Sequence, residues 1–278
     1  MNYRHIYHAG SFADVFKHII LIMLIKSLHK KDSPFCYLDT HAGSGRYNLT
    51  STPAQKTKEY ENGIGKIIKH KEALVDNIWL QNYLEIIAKI NNQTVSSLKT
   101  SPKFYPGSPL VVQHLLRKND RMILIELHPE DVKILKNEFK DNKQISVHLN
   151  DAYLALKAFL PPKEKRGLIF IDPPFEQVNE FEQILEGLKN ALMRFKNGIY
   201  VIWYPIKERA PIKKFHQELE KILINNKIEN KSIIELKIHK EEIAERLNGC
   251  GVVIINTPWK FEKDVQGVLV KLREILTA

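Results

Sequence analysis

The stretch GLIFIDPPFEQ, residues 167–177, ends an apolar run on Asp172, Pro173, Pro174 and Phe175. Consecutive prolines fix the backbone and remove two N–H donors, so the carbonyls around them are left as acceptors. Asp172 adds a further acceptor and Phe175 a flat apolar face. Acceptors beside a stacking ring suit a planar base that carries an exocyclic NH₂ group. Such a nitrogen is a poor nucleophile because its lone pair is delocalised into the ring. Accepting its two N–H bonds, one on Asp172 and one on a proline carbonyl, concentrates electron density on nitrogen and lets the lone pair point at an electrophilic methyl group. Acceptors that gain strength as positive charge develops there lower the barrier, and the carboxylate can take the released proton.

Three other places could serve the same chemistry. In FCYLDTHAGSGRY, residues 35–47, a strand runs through Asp39 into a turn holding Gly43 and Gly45, where glycine lets the backbone approach a ligand. The turn lacks the third glycine of a dinucleotide fingerprint and the Gly-Lys-Ser/Thr of a phosphate loop. Glu126 closes the apolar run of MILIELHP, where a carboxylate can accept ribose hydroxyls or stand ahead of a helix opening at Pro129. Asp151, in VHLNDAY, can accept the adenine amino group of the same ligand or cap the helix that follows.

Stepping outward, short aliphatic runs at residues 35–40, 122–127, 146–149, 168–171, 199–204, 232–238 and 252–255 alternate with helical patterns at 129–139, 153–160, 181–195 and 212–225. This predicts an α/β fold, a mostly parallel seven-stranded sheet covered by helices on both sides. Each acid then stands at the carboxyl end of a strand. The last two strands leave too little room for a crossover and should pair antiparallel. Residues 47–106 show helical patterning at 61–70 and 74–90 and no convincing strand, so residues 48–105 are expected to form a helical subdomain inserted into a single domain of 1–278.

The 278 residues can bury a core unaided. Lys and Arg number 42 against 32 Asp and Glu, a net charge of +10 that favours a polyanionic partner. Cys36 and Cys250 lie beside apolar runs without metal-ligand spacing and are expected to be reduced and buried in a cytoplasmic protein that binds no metal. The apolar run at 19–25 is too short to cross a bilayer and is expected to be the buried face of a helix, so no membrane contact is foreseen.

The ordered set of a glycine turn, two strand-end acids and Asp-Pro-Pro-Phe resembles the amino-group-specific S-adenosylmethionine-dependent methyltransferases, which have a Rossmann-like class I fold. More closely, YRHIYHAGSFADVFKH (residues 3–18), YLDTHAGSGRY (37–47), YPGSP (105–109), ELHP (126–129), IDPPF (171–175), WYP (203–205) and NTPWK (256–260) resemble the RlmJ family, over essentially the whole chain. That family methylates N6 of one adenine in 23S ribosomal RNA. The resemblance implies that His18, His41 and Ser108 hold the methionine end of S-adenosylmethionine, Glu126 its ribose, and Asp151 with the backbone of Ala152 its adenine. It makes Asp172 the catalytic acceptor, near both methyl donor and target, and brings Tyr3 to the RNA base. Phe175 stands where tyrosine is also common. The implied partner is 23S ribosomal RNA before full ribosome assembly, met by a monomer.

Two alternatives stay open on the residues themselves. The Asp-Pro-Pro-Phe tetrad reads a base amino group and not a sugar, so a DNA adenine-N6 methyltransferase would carry it too. The lack of a helix-turn-helix pattern leans towards RNA. A non-catalytic nucleic-acid-binding protein of the same fold would not need the acids at three strand ends.

Overall fold

The computed structural model describes residues 4–239 and 247–277. Strand β1 (Cys36–Asp39) is followed by the three-residue strand β2 (Arg46–Asn48), then by β3 (Phe104–Pro106), β4 (Arg121–Glu126), β5 (Ile145–Leu149), β6 (Gly167–Ile171), β7 (Ile199–Ile206), β8 (Lys231–Lys237) and β9 (Gly249–Ile255). The helices are α1 (Phe12–His29), α2 (Thr52–Thr57), α3 (Ile64–Lys69), α4 (Ile78–Ile90), α5 (Ser108–Gln113), α6 (Pro129–Phe139), α7 (Ala152–Phe159), α8 (Glu180–Arg194), α9 (Arg209–Asn225) and α10 (Phe261–Thr277).

Seven strands form one sheet in the order β5-β4-β1-β6-β7-β9-β8. β1, β4, β5, β6 and β7 run parallel, while β9 lies antiparallel between β7 and β8. The expected antiparallel pairing of the last two strands is therefore present, with β9 inserted rather than added at the edge. Alternate residues of each central strand face opposite layers. Tyr37, Leu124 and Phe170 join one core cluster with α1 and α10, while Leu38, Ile123 and Ile169 join the other with α8 and α9. Chain direction across the sheet reverses between β1 and β6, and ligands of open α/β sheets bind in the crevice beyond the carboxyl ends of strands at such a reversal.

One expectation is corrected. Residues 47–106 do contain strand: β2 and β3 pair antiparallel with Tyr47 opposite Tyr105. Three residues each are too few to show alternation. The run at 19–25 is buried within α1 as expected, and the burial extends over residues 13–25 on every side. The sheet packs on one side of α1, and α4, α5 and α10 surround the rest, so the helix is apolar all round. That burial includes Asp14, Lys17 and His18, which must therefore find partners. Helix α10 is amphipathic and packs its apolar side against α1, α3 and β8.

Helices α2, α3 and α4 lie between β2 and β3 and share the core cluster of α1. Gly63, just ahead of α3, meets the chain immediately before α1: the amide of Ile64 donates to Gly10 O at 2.9 Å. A Cβ on Gly63 would collide with Gly10 O and the Ser11 carbonyl carbon and sit 2.8 Å from Phe12 N, all backbone atoms that cannot rotate away. Gly63→Ala is expected to cost about 1–3 kcal/mol by overpacking, read as a lower urea midpoint at unchanged m-value. A midpoint equal to that of the parent protein would show that this contact has slack.

Candidate active site

Beyond the carboxyl ends of β1, β4, β5, β6 and β7 lies a cleft of about 670 Å³. Thr40 to Gly43, Glu126, Asp151, Ala152, Asp172 to Phe175 and Trp203 all line it, and α1 and α5 bring His18 and Ser108. Every site residue expected from the sequence thus reaches one cleft, except Tyr3, which lies outside the described residues.

Asp172 follows β6, its side chain 13 % exposed. Its Oδ2 accepts from Lys17 Nζ at 2.6 Å. The same ammonium lies 2.8 Å from Asp14 Oδ1, one helical turn away, and 5.5 Å from the centre of the Trp203 ring. Asp14 Oδ2 accepts from the Gly10 amide and from His5 Nε2, each at 2.9 Å. Burial works against a charged Asp14, but His5 and Lys17 outweigh it and hold its carboxyl well below the usual range. The group acting directly on Asp172 is therefore a buried lysine. No sequence argument singled out Lys17, since a lysine in an apolar helix carries no motif until its partner 155 residues away is known.

Phe175 has φ 52°, a left-handed conformation that is uncommon for a bulky side chain and costs about 1–3 kcal/mol. The strain turns the ring edge-on to Phe181, with centroids 5.0 Å apart, and to Trp203 at 5.8 Å. The rigid turn after Asp172 so ends on an aromatic wall.

At the end of β1, Asp39 is fully buried. Burial lifts its pKa to about 6, although its carboxylate accepts from the hydroxyls of Ser108 and Tyr37, both at 2.7 Å, and from the His41 amide. Ser108 is thus fixed in position by an acid. Thr40 gives its hydroxyl proton to Phe170 O at 3.0 Å, so at 2.8 Å it can only accept from His41 Nδ1–H. Burial drops the His41 pKa to about 4. A neutral ring protonated on Nδ1 leaves Nε2 as an acceptor.

Gly43 and Gly45 adopt φ of 60° and 80°, as their place in the turn requires. A Cβ on Gly43 would run into the Tyr47 hydroxyl. The Gly43 amide donates to Glu126 Oε2 at 2.7 Å, while Glu126 Oε1 accepts from the amides of Leu127 and His128, both at 2.8 Å. Of roughly four carboxylate lone pairs, three are engaged, so in this state Glu126 offers one acceptor on Oε2 and not two. Burial raises its pKa against those amides. Asp151 caps α7: its Oδ1 accepts from Tyr153 N and Leu154 N, both at 2.9 Å. Both readings of Asp151 are compatible, since Oδ1 caps and the residue still lines the cleft.

His18 is fully buried and its Nδ1 is hydrogen-bonded to the Tyr105 hydroxyl at 2.9 Å, which in turn meets the Tyr83 hydroxyl at 3.0 Å. This chain ties α1 to α4. Among the described residues no group of three His, Cys, Asp or Glu is placed to hold a metal ion. The residues do fit a nucleoside with a charged tail, because the cleft has the volume, a glycine turn and acceptors at three strand ends.

Comparison with known proteins gives consistent matches. A family model described as Ribosomal RNA large subunit methyltransferase D, RlmJ, matches residues 32–278. The chain is 38% identical over 269 residues to ribosomal RNA large subunit methyltransferase J of Escherichia coli (strain K12), covering 97% of this chain and 91% of that protein. It is 37% identical over 276 residues to the protein of the same name from Haemophilus influenzae, covering 99% and 94%. A crystal structure of a Legionella pneumophila protein, 37% identical, superposes with a TM-score of 0.87 over 97% of this chain and 94% of that one.

Burial lowers the His18 pKa from 6.5 to about 3. The unfolded chain therefore binds this proton first as the pH falls. Its stability contribution is complete above pH 6.5 and is lost towards pH 3. His18→Gln, which keeps a partner for Tyr105, is expected to flatten the stability profile in that window by about 1.4 kcal/mol per pH unit. Urea unfolding across this range would show it, and an unchanged slope would mean that the ring is protonated in the fold.

Proposed function

The chain belongs to the RlmJ family of ribosomal RNA large subunit methyltransferases, and from that premise we propose that it methylates N6 of one adenine in 23S ribosomal RNA. S-adenosylmethionine, the methyl donor of such enzymes, supplies when bound a methyl carbon made electrophilic by its sulfonium. The observation that carries the reading is the Lys17–Asp172 contact of 2.6 Å at the rim of the cleft. Lys17 occupies Oδ2 and so fixes the plane of the carboxylate, leaving Oδ1 to accept one N6–H. The carbonyl of Pro173 is the second acceptor. With both N–H bonds taken up, the lone pair of nitrogen is directed out of the base plane, and charge developing on nitrogen is stabilised by groups already in place. The proton released on transfer passes to Asp172. Phe175, with Trp203 beside it, supports the face of an extruded base.

The remaining residues hold the donor. Glu126 Oε2 accepts from a ribose hydroxyl. Asp151 and the Ala152 backbone meet the adenine, while His41 Nε2 accepts from the α-ammonium of the methionine moiety. His18 and Ser108 shape that end of the cleft, and Tyr3 meets the target base. The partner is 23S ribosomal RNA before full assembly of the ribosome, bound in the cytoplasm by a monomer. No helix among the described residues is long and apolar enough to cross a membrane.

Asp172→Ala is expected to abolish transfer of labelled methyl groups to protein-free 23S ribosomal RNA while S-adenosylhomocysteine still raises the thermal midpoint. Full transfer by that variant would remove Asp172 from the chemistry. Glu126→Ala should chiefly weaken binding of the cofactor, by about 1–3 kcal/mol for the lost ribose hydrogen bond, or roughly fivefold to 150-fold in dissociation constant. Titration calorimetry with S-adenosylhomocysteine measures this, and an unaltered constant would place the ribose elsewhere.

A further inference from the structure

The motif NTPWK, residues 256–260, lies outside the cleft. β9 runs antiparallel to β7 with Ile255 opposite Tyr200, so the chain leaves β9 where β7 begins. The loop is clamped there. Asn256 Nδ2 donates to the carbonyls of Lys196 and Gly198 at 2.9 and 2.7 Å, and Asn230 Nδ2 donates to Thr257 O at 2.8 Å. Asn256 and Lys260 both take left-handed conformations, at φ 58° and 63°. This framework displays Trp259, 79 % exposed, with the Lys260 ammonium 4.0 Å from its ring centre. The clamp serves the turn from β9 into α10, but the indole that the turn presents to solvent is not covered by the fold.

The rest of that end of the sheet is basic. Lys31, Lys118, Lys143, Lys163, Lys196 and Lys227 lie in the six loops leading into β1, β4, β5, β6, β7 and β8, and all are exposed. Among the described residues none of them is ion-paired. Two acids of the same loops, Asp120 and Glu164, are neutralised by Arg117 and Arg121. The exposed acids there are Asp32, Asp141 and Glu229. Because strands are spaced at about 4.8 Å, the lysines follow a line of about 30 Å, with Trp259 near one end.

We propose that this end of the sheet is a second RNA-binding surface, a lysine strip that grips consecutive phosphates and a Trp259 platform that stacks an unpaired base. It takes as its ligand the ribosomal RNA of the proposed function. Exposed cations on the phosphate backbone and an aromatic face for any base are the two components of sequence-tolerant binding to single strands. The clamped loop loses little freedom when a base stacks, so more of the stacking energy appears as affinity. β7, eight residues long, separates this surface from the cleft by about 25 Å. RNA reaching both must extend well past the target nucleotide, and the strip acts on substrate capture and not on the chemical step.

The test is filter binding to protein-free 23S ribosomal RNA over a range of salt. The variants are the triple charge reversal Lys118→Glu, Lys163→Glu, Lys196→Glu, and separately Trp259→Ala and Trp259→Phe. An S-adenosylhomocysteine thermal shift in each variant confirms an intact fold. The triple variant is expected to reduce the slope of log affinity against log salt by about 2 to 3, and Trp259→Ala to weaken binding about tenfold with most restored in Trp259→Phe. Parental affinity and slope in the triple variant would overturn the strip, and parental affinity in Trp259→Ala would overturn the platform. A Trp259→Ala variant that altered sedimentation but not RNA affinity would mark a contact between copies of the chain instead. The readout is binding, so a parent protein that held the RNA without methylating it would defeat the proposed function and leave this surface standing.

Discussion

A lysine ammonium held away from water between two carboxylates is the constraint from which the rest of the site follows. Lys17 is almost fully buried, 2.8 Å from Asp14 and 2.6 Å from Asp172. Withdrawing such a charge from solvent costs several kcal/mol and is tolerated only where partners sit at close range. Removing one partner of a buried pair typically costs about 3–5 kcal/mol. This accounts for a first helix that is apolar on every side yet carries an acid and a base one turn apart. The helix must lie within the core for Lys17 to reach the end of β6, and Asp14 offsets the cost of placing the cation there. Through Asp14 the same cation is coupled to His5 and to the Gly10 amide, so the chain ahead of α1 is tied electrostatically to the loop after β6.

The second layer of the site is neutral where neutrality is useful. Burial keeps His18 and His41 uncharged well below physiological pH, so Lys17 brings the positive charge that meets Asp172. The hydroxyl of Thr40 selects the tautomer of His41, and the amides around Gly43 orient Glu126. Each of these side chains is thus held by a hydrogen bond to the scaffold, as preorganised catalysis requires. The strained φ of Phe175 is part of the same rigidity.

Much of this was legible in the residues. Apolar runs of four to seven residues located the sheet, and acids at the ends of those runs located Glu126, Asp151 and Asp172, because strand direction places such residues together. The proline pair and the glycine turn were legible for the same reason, since their backbone geometry is intrinsic. What could not be read depends on distant partners. Lys17 and Asp14 gain meaning only when α1 packs against β6, and Asp39 only when Ser108 and Tyr37 close over it. His18 came from the resemblance alone; it lines the cleft and also ends a hydrogen-bonded chain through Tyr105 and Tyr83. β2 and β3 are too short for periodicity to reveal, and the insertion of β9 between β7 and β8 is a matter of long-range pairing.

The central claim is that Lys17 holds one oxygen of Asp172 so that the other meets the target amino group. A crystal structure of the protein with S-adenosylhomocysteine and an RNA carrying the target adenine tests it most directly. The account predicts N6 at hydrogen-bonding distance, about 2.7–3.2 Å, from Asp172 Oδ1, with Lys17 still on Oδ2. A base seated in the cleft with its amino group turned from Asp172, or Lys17 withdrawn from the carboxylate, would contradict it.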